Sequence, residues 1–358
     1  MSFHSSGPAV RRVVPVVPPL DAEVVPAAAR TAAGTALAAL DAAVRRHLGD
    51  PDLFHRPRYR LKMHHRHLAG LTGDQVTALV AAAAEARASA ALVAVHSVRA
   101  ERAERPDRRP CFTPEALAEL HGMLVAGDPN IPDGGGFRRG GSRVDWPDGR
   151  RFVMAVRPGG ELRDHVRRWY EWGTRTTSPP LDAAALGMVR LLTIHPFPDA
   201  NGRTARLLAE CDLVGAGLLP GLLLDIEGWV ERHRAEHDEA VVAAADGHWS
   251  VWGELFARTV TDTARHRTAT VEAYGALIDR ALEHAGGGAA ETAVLTWLRA
   301  GPAVSADWLR GRVPHDPAPA LDRLLAAGVL APHPRLPGAL VHPGALALLD
   351  APYGSPVG

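Results

Sequence analysis

Residues 195–206 hold, close together in the chain, the residue types that phosphate chemistry requires. His195 can accept a proton near neutral pH, and Asp199 is an oxygen ligand of the kind that Mg²⁺ takes when it bridges phosphates. Arg203 and Arg206 are three positions apart, so on a helix their guanidinium groups share a face. A base, a metal-binding carboxylate and an arginine pair are the parts of a phosphoryl- or nucleotidyl-transfer site.

The backbone of this stretch also favours an anion. Pro196 and Pro198 end a preceding helix and stiffen the turn. Ala200 and Gly202 leave the chain uncrowded where Asn201 and Asp199 can start the next helix as cap residues. A helix N-terminus offers unpaired N–H groups and the positive end of its dipole, so the sequence predicts that this loop binds phosphate.

Two helices must position the loop. Apolar residues recur at helical spacing from Leu181 to Ile194, and the same spacing resumes from Leu207 to Val214. We therefore expect the chemical residues to lie in a short loop between two buried helices.

The loop resembles the signature of a known family. The family pattern His-x-Phe-x-(Asp/Glu)-(Gly/Ala)-Asn-(Gly/Lys)-Arg, which is that of Fic domains, is matched by His195, Phe197, Asp199, Asn201, Gly202 and Arg203. Arg206 falls where many members carry a second arginine, and Ala200 is the less common but accepted choice at its position. Residues 113–121 also resemble the first core helix of Fic domains, so the resemblance implies a mainly α fold with a Fic-type helical core.

The resemblance implies an activity and a role for each loop residue. The activity is transfer of AMP from ATP to a Ser, Thr or Tyr hydroxyl of a target protein, with His195 as general base. Asp199 would position Mg²⁺ as the cofactor. The implied nucleotide-binding set consists of Ala200, Asn201, Gly202, Arg203 and Arg206. Two alternatives stay open. The enzyme could use another nucleotide or phosphate-containing donor, or the protein could be a winged-helix regulator that binds a nucleotide without reacting with it.

A β-hairpin is predicted over residues 134–157, because two extended runs flank a Pro-Asp-Gly turn. This hairpin resembles the flap of Fic domains. The resemblance implies that it lies over the active site and that its edge pairs with the target polypeptide. Strand addition of this kind holds a substrate by main-chain hydrogen bonds. The residues expected to contact the target are Arg143, Val144, Asp145 and Trp146. A plain surface hairpin is the alternative.

Many Fic proteins carry an inhibitory helix with the pattern (Ser/Thr)-x-x-x-Glu-(Gly/Asn), whose glutamate pairs with the second arginine. The resemblance implies that this chain could be regulated in the same way. The nearest match is Ser97 to Arg102, with Glu101 as the inhibitory candidate and an arginine in the final place. Three alternatives stay open: Glu101 inhibits, a separate inhibitory protein supplies the glutamate, or the enzyme is not inhibited in this way.

The domain organisation follows from composition and periodicity. We expect a flexible arm (1–20), an N-terminal helical region (21–108), a Fic core (109–265), a connecting helix with a glycine linker (266–288) and a winged-helix-like domain (289–350). In the last, the recognition-helix candidate offers Arg323 beside an opposing Asp322, which reads DNA poorly. Protein docking or a homodimer is favoured over DNA as its partner.

Composition excludes several functions. Lysine and arginine together equal aspartate and glutamate at 40 each, so the net charge favours neither nucleic acid nor membrane. Lys62 is the single lysine and follows no glycine-rich loop, which excludes Walker A and protein-kinase sites. Two cysteines and no apolar run of membrane-spanning length predict a cytoplasmic protein without a membrane partner.

Two histidine patterns could bind metal instead. His64, His65 and His67 cluster but lack the spacing that places two imidazoles on one helix face. His233 to His237 fits the His-x-x-Glu-His pattern of inverted zinc peptidases. Such a short pattern arises easily in a chain with 18 histidines, so both are disfavoured.

Overall fold

The computed structural model describes residues 10–49, 51, 73–128, 131, 134–145, 151–284, 288–334, 338–351 and 353–357; for 10, 73–87, 145 and 350 it describes the backbone alone. The chain is mainly helical, as the sequence predicts. The helices are α1 Ala27–His47, α2 Gly73–Glu104, α3 Pro114–Leu124, α4 Gly160–Arg175, α5 Pro180–Ile194, α6 Asn201–Gly215, α7 Ile226–Arg232, α8 Arg234–Ala245, α9 Trp249–His284, α10 Ala289–Trp297, α11 Ala306–Leu309, α12 Ala318–Ala326 and α13 Pro343–Asp350. The strands are β1 Val10–Val13, β2 Arg143–Asp145, β3 Arg151–Met154, β4 Ala303–Val304, β5 Ala331–Pro332 and β6 Leu340–Val341.

The chain divides into two compact units. The first comprises residues 1–33, 59–218 and 230–259, and the second comprises residues 34–58, 219–229 and 260–358. One of the division points falls at 259/260, within α9. The predicted domain boundaries stay predictions.

Helix α5 is the centre of the first unit. All its residues from Leu181 to Ile194 are buried, and it packs along α6. Because a helix with apolar residues on every side must be covered on every side, its sequence already indicated burial. The charged residue near its start, Asp182, is paired: its carboxylate accepts hydrogen bonds from the backbone N–H groups of Val24 (2.7 Å) and Val25 (2.8 Å) and from Arg30.

Helix α3 begins as its sequence predicts. Thr113 is the N-cap, and its hydroxyl accepts a hydrogen bond from the N–H of Ala116 at 3.2 Å. Pro114 occupies the first helical position, where its missing N–H costs nothing. The buried face of the helix carries Leu117, Leu120 and His121, which sets that histidine toward the core.

The first unit contains a three-stranded sheet of β1, β3 and β2. Strand β3 is central, antiparallel to β2 and parallel to β1. The predicted hairpin is therefore present in strands β2 and β3, while its turn, with Trp146, lies outside the described residues. Phe152 and Met154 of β3 pack with Val13, and Val242 of α8 lies against them.

The prediction of a flexible arm over residues 1–20 is wrong for the part of it that is described. Residues Val10–Val13 form strand β1, and the carbonyl of Leu20 accepts hydrogen bonds from the N–H groups of Thr177 (2.7 Å) and Ser178 (3.1 Å). A proline-rich segment lacks side-chain periodicity, but an extended backbone still pairs with a sheet edge through its main chain. The sequence pattern could not show that partner.

One predicted helix is divided. The sequence favoured a single helix from Glu227 to Ala245, whereas α7 ends at Arg232 and α8 begins at Arg234. His233 at the junction has φ −116° and ψ 32°, outside the helical region.

The second unit contains a small sheet with strand order β4-β6-β5, in which β6 is antiparallel to both neighbours. Ser305 caps α11 through its hydroxyl, which accepts a hydrogen bond from Trp308 N at 3.2 Å. Glu291 of α10 pairs with Arg323 of α12. The assignment of this region as a winged helix stays a prediction.

Within the described part of the chain, no helix is both long enough and apolar enough to cross a membrane. The histidine cluster at His64, His65 and His67 lies outside the described residues.

Candidate active site

His195 stands directly after α5, where the chain leaves the helix. It is the C-cap residue in a left-handed conformation, with φ 53° and ψ 60°. Its Nδ1 lies 3.3 Å from the carbonyl oxygen of Leu192. Since a carbonyl oxygen only accepts, Nδ1 carries the proton in this contact, and Nε2 keeps the lone pair that a general base needs.

The environment of His195 favours the neutral imidazole. Burial lowers its pKa to about 4; the contact with the Leu192 carbonyl opposes this, the charge of Arg138 adds to it, and Asp199 opposes it weakly. At neutral pH the side chain is therefore in the form that can accept a proton.

Asn201 shapes the loop with its side chain. Its Oδ1 accepts from the N–H of Phe197 and its Nδ2 donates to the carbonyl of Phe197, both at 2.9 Å. The residue is buried, with 2% of its surface exposed. The sequence predicted that this amide binds phosphate; in the structure it closes the turn, and the backbone N–H of Asn201 lies at the start of α6.

The N-terminus of α6 is the anion-binding feature of the site. Ala200 precedes the helix with φ 58°, and the first intrahelical bond runs from Thr204 N to Ala200 O at 3.0 Å. The N–H groups of Asn201, Gly202 and Arg203 come before that bond. They form the positively polarised end of the helix, where a phosphate binds well.

Arg203 is held by a buried carboxylate that the sequence did not single out. Its Nη1 donates to Asp128 Oδ2 at 3.1 Å, and its Nη2 lies 3.9 Å from Asp199 Oδ1. The side chain of Asp128 is 3% exposed and that of Arg203 is 23% exposed. Asp128 therefore fixes one side of the guanidinium.

Arg206 lies over the start of α6. A Cβ atom added to Gly202 would stand 2.8 Å from Arg206 Nη1 and 3.2 Å from its Nη2. The absence of a side chain at position 202 thus leaves the space that the guanidinium occupies. Both arginines of the predicted clamp are at the N-terminal end of α6, together with the helix amides.

Asp199 is more than half exposed at the mouth of the loop, and its Oδ1 accepts a hydrogen bond from Ala200 N. Among the described residues, no group of three or more His, Cys, Asp or Glu side chains could hold a metal ion. A single carboxylate is nevertheless what Mg²⁺ takes when substrate phosphates supply further ligands. Asp199 and the anion end of α6 fit a Mg²⁺–nucleotide complex.

His121 supports the loop from α3. Its ring stacks on Phe197, with centroids 3.7 Å apart and planes 6° from parallel. Gly135 N donates to its Nδ1 at 3.1 Å, so Nε2 is protonated and donates to the carbonyl of Asp199, also at 3.1 Å. The side chain is fully buried, and burial lowers its pKa to about 4.

The predicted target-binding residues lie on an edge strand. Arg143, Val144 and Asp145 form β2, which pairs with β3 on one side. Arg143 is exposed and Val144 is partly exposed. Trp146 lies outside the described residues.

Glu101, the predicted inhibitory residue, bonds to the segment that precedes α3. Its Oε2 accepts a hydrogen bond from Cys111 N at 3.2 Å, and the neighbouring Arg102 donates to the carbonyl of Gly215. Gly215 is the last residue of α6, nine residues or about 13 Å along the helix from Arg206. The inhibitory role of Glu101 stays a prediction.

The zinc-peptidase pattern is used for other contacts. His237 is buried, and its Nδ1 lies 2.9 Å from Asp238 Oδ1. Glu236, which the pattern makes the catalytic base, is exposed and paired with Arg258. Both His237 and Glu236 are therefore engaged with charged side chains of the protein itself.

Three residues of the site were missed by the sequence reading: His121, Asp128 and Arg138. His121 had a signal, since it continues the apolar stripe of Leu117 and Leu124 on α3. Asp128 and Arg138 had none, because each lies in an irregular segment and its burial depends on distant partners.

Comparisons with known proteins give one family model and several curated relatives. Residues 111–212 match the Fic/DOC family. The protein adenylyltransferase Fic of Drosophila melanogaster is 34% identical over 112 residues, which are 30% of this chain and 21% of that protein. The protein adenylyltransferase fic-1 of Caenorhabditis elegans is 35% identical over 77 residues, which are 22% of this chain and 15% of that protein. The chain thus spans about a fifth of the length of the curated relatives it matches.

Two solved structures resemble the chain over a larger part of its length. A Fic family protein from Desulfovibrio desulfuricans G20 has 17% identity and a TM-score of 0.46, covering 87% of this chain and 95% of that chain. A Fic domain containing signaling protein from Bacteroides thetaiotaomicron VPI-5482 has 19% identity and a TM-score of 0.47, covering 68% of this chain and 97% of that chain.

Proposed function

As residues 111–212 of this chain are a Fic domain, we propose that the protein is an adenylyltransferase that moves AMP from ATP to a Ser, Thr or Tyr hydroxyl of a protein. The observation that carries the proposal is the loop itself. A neutral His195 precedes a short loop, and α6 begins directly after that loop. The N-terminal amides of α6, Arg203 and Arg206 therefore lie close to His195 in the chain. The adenylyltransferase names of the relatives support the choice of AMP.

The proposed step is an in-line displacement at the α-phosphorus. The target hydroxyl oxygen forms a bond to that phosphorus, and the bond between the phosphorus and the bridging oxygen of pyrophosphate breaks. The hydroxyl proton goes to Nε2 of His195, and pyrophosphate leaves. General-base help of this kind contributes on the order of 10² to 10⁴ in rate.

The remaining loop residues bind and neutralise. The N–H groups of Asn201 and Gly202 and the two arginines hold phosphate oxygens and offset charge on the leaving pyrophosphate. Asp199 would hold Mg²⁺, which would supply Lewis-acid stabilisation of phosphate charge when bound. Asp128 keeps the Arg203 guanidinium in place for this purpose.

The target protein pairs with the edge of β2 in this proposal. The strand is short and its register is fixed on β3, so a target segment added there is held by main-chain bonds. Arg143 and Val144 are the described side chains that flank such a segment.

The test is covalent labelling. The full chain is incubated with Mg²⁺ and α-labelled ATP, alone and with cell lysate, beside the His195→Ala variant and the matched control His248→Ala at an exposed histidine. We expect label on protein with the wild type and the control, and none with His195→Ala. Equal labelling by His195→Ala would refute the base assignment.

The donor is tested in the same assay. α-Labelled GTP, CTP and UTP replace ATP, and γ-labelled ATP tests for phosphate transfer. Label from another nucleotide or from the γ-position would replace AMP as the group transferred. Saturable ATP binding without label from any donor would favour the nucleotide-sensing regulator.

A further inference from the structure

Arg138 is a buried arginine that the reaction described above does not use. It lies between α3 and β2 and is 4% exposed. Burial lowers its pKa, and the charge of Glu161 only partly offsets this. Within the described part of the chain no carboxylate forms an ion pair with it, so its charge is stabilised by other groups.

Those groups are backbone carbonyls from three segments. Its Nε donates to the carbonyl of His195 at 2.8 Å, its Nη1 to that of Gly140 at 2.8 Å and its Nη2 to that of Val156 at 2.5 Å. The backbone N–H of Arg138 also donates to the carbonyl of Pro196 at 2.9 Å. One side chain therefore joins the loop that contains His195 to the end of the hairpin. This connection through Arg138 is called the tie.

The chemistry of the guanidinium explains why arginine stands here. Its N–H donors lie in a rigid plane and point in divergent directions, so they can reach three carbonyls at once, whereas an ammonium is a compact point charge on a flexible stem. A hydrogen bond from a charged donor is also stronger than a neutral one.

The partner at His195 is a strained position. A non-glycine residue with φ 53° is uncommon, and such conformations persist only where surrounding contacts hold them. Arg138 binds the carbonyl of that residue and, through its own N–H, the carbonyl of the next. These two bonds fix the peptide that orients the imidazole.

The other end of the tie is the hairpin. Val156 lies two residues after Met154, the last residue of β3, and β3 pairs with β2, the edge strand on which the target is proposed to pair. A displacement of the hairpin relative to His195 would break the bond to one carbonyl or the other.

We propose that Arg138 is a positioning residue that couples the target-binding hairpin to the catalytic base by bonding the carbonyls of Val156 and His195 together. The inference rests on the proposed transferase function. A displacement of about 1 Å at a reacting group can cost on the order of 10² in rate, so removal of the tie should lower kcat about 100-fold. The ATP site is built mainly from α6, so the KM for ATP should change less than about threefold.

The experiment compares Arg138→Met with Arg139→Met in the full chain. Arg139 is the adjacent arginine and is exposed, so it controls for loss of one positive charge in the same segment. Pyrophosphate release is measured against ATP concentration with the acceptor found in the labelling assay. We expect the kcat loss in Arg138→Met alone, a smaller loss in Arg138→Lys, and none in Arg139→Met.

A second readout does not depend on activity. Amide hydrogen exchange is followed in peptides covering residues 151–157 and 192–197, and Arg138→Met should raise exchange in both, whereas Arg139→Met should raise it in neither. If Arg138→Met does not fold, as judged by loss of its thermal transition, Arg138→Lys takes its place in both measurements.

The outcomes separate the two proposals. A wild type that labels nothing refutes the transferase but leaves the exchange test of the tie intact. Unchanged kcat in Arg138→Met, a raised KM for ATP with kcat unchanged, or increased exchange in only one of the two peptides would overturn the coupling role.

Discussion

The histidine that supports the active-site loop should make the protein sensitive to acid. His121 has an ordinary pKa of 6.5, which burial lowers to about 4 in the folded state. The folded protein therefore resists protonation that the unfolded chain accepts. A depressed folded pKa contributes stability that is complete above the unfolded pKa and is lost as pH falls toward the folded pKa.

The magnitude follows from these two pKa values. At pH 7.5 neither state is appreciably protonated at this residue. At pH 5 the unfolded state is almost fully protonated and the folded state is not, which lowers the free energy of unfolding by about 2 kcal/mol. The loss reaches about 3 kcal/mol below pH 4, where it levels off.

The variant His121→Gln removes this titration and leaves a side chain that can both donate and accept. It should be less stable than the wild type at pH 7.5, because the stacking on Phe197 is lost. The difference should shrink by about 2 kcal/mol at pH 5, since only the wild type pays for protonation.

The assay is urea unfolding at a series of pH values, followed by tryptophan fluorescence, because Trp169 and Trp172 are buried in the first unit. His248→Gln makes the same substitution at an exposed histidine and serves as the control. A difference between wild type and His121→Gln that stays constant from pH 7.5 to pH 5 would show that His121 is not held neutral by the fold.

Three further predictions concern activity. Because burial lowers the pKa of His195 to about 4 and the base must be deprotonated, the transfer rate should be level from pH 6 to 8 and fall as pH drops toward 4; a limb near 6.5 in the pH–rate profile would contradict this. Gly202→Ala should raise the KM for ATP about tenfold, because the added Cβ would lie 2.8 Å from Arg206 Nη1 and displace this guanidinium. Arg206→Ala should raise it by a similar factor, and an unchanged KM would mean that this arginine does not bind the nucleotide. Asp128→Asn should weaken the hold on Arg203 and lower kcat/KM for ATP about tenfold, measured by pyrophosphate release, while Glu115→Gln on the exposed side of α3 should leave it unchanged.

The chemical residues and their helices could be predicted from local sequence. Helical spacing before His195 and after Arg206, with prolines between, predicted two buried helices and a loop, and the structure confirms α5 and α6 at those places. The family assignment is confirmed by the match over residues 111–212. These features are local: a periodicity, a cap or a dense motif carries its own physical cause within a few residues.

The roles of individual polar groups depended on the fold. The amide of Asn201 bonds to its own loop, Glu101 accepts a hydrogen bond from the N–H of Cys111, and residues 10–13 join a sheet. In each case the deciding contact comes from backbone atoms or from a residue distant in sequence, and hydrogen bonding to the main chain leaves no mark on residue type.

Arg138 and Arg139 show the limit most clearly. They are identical neighbours in a glycine-rich segment, yet one is buried against three carbonyls and the other is exposed. The sequence determined that a base, a carboxylate, two arginines and a helix start would meet in one loop. Only the tertiary structure decided which further side chains hold that loop in place, because burial and hydrogen-bond partners are set by packing between segments far apart in the chain.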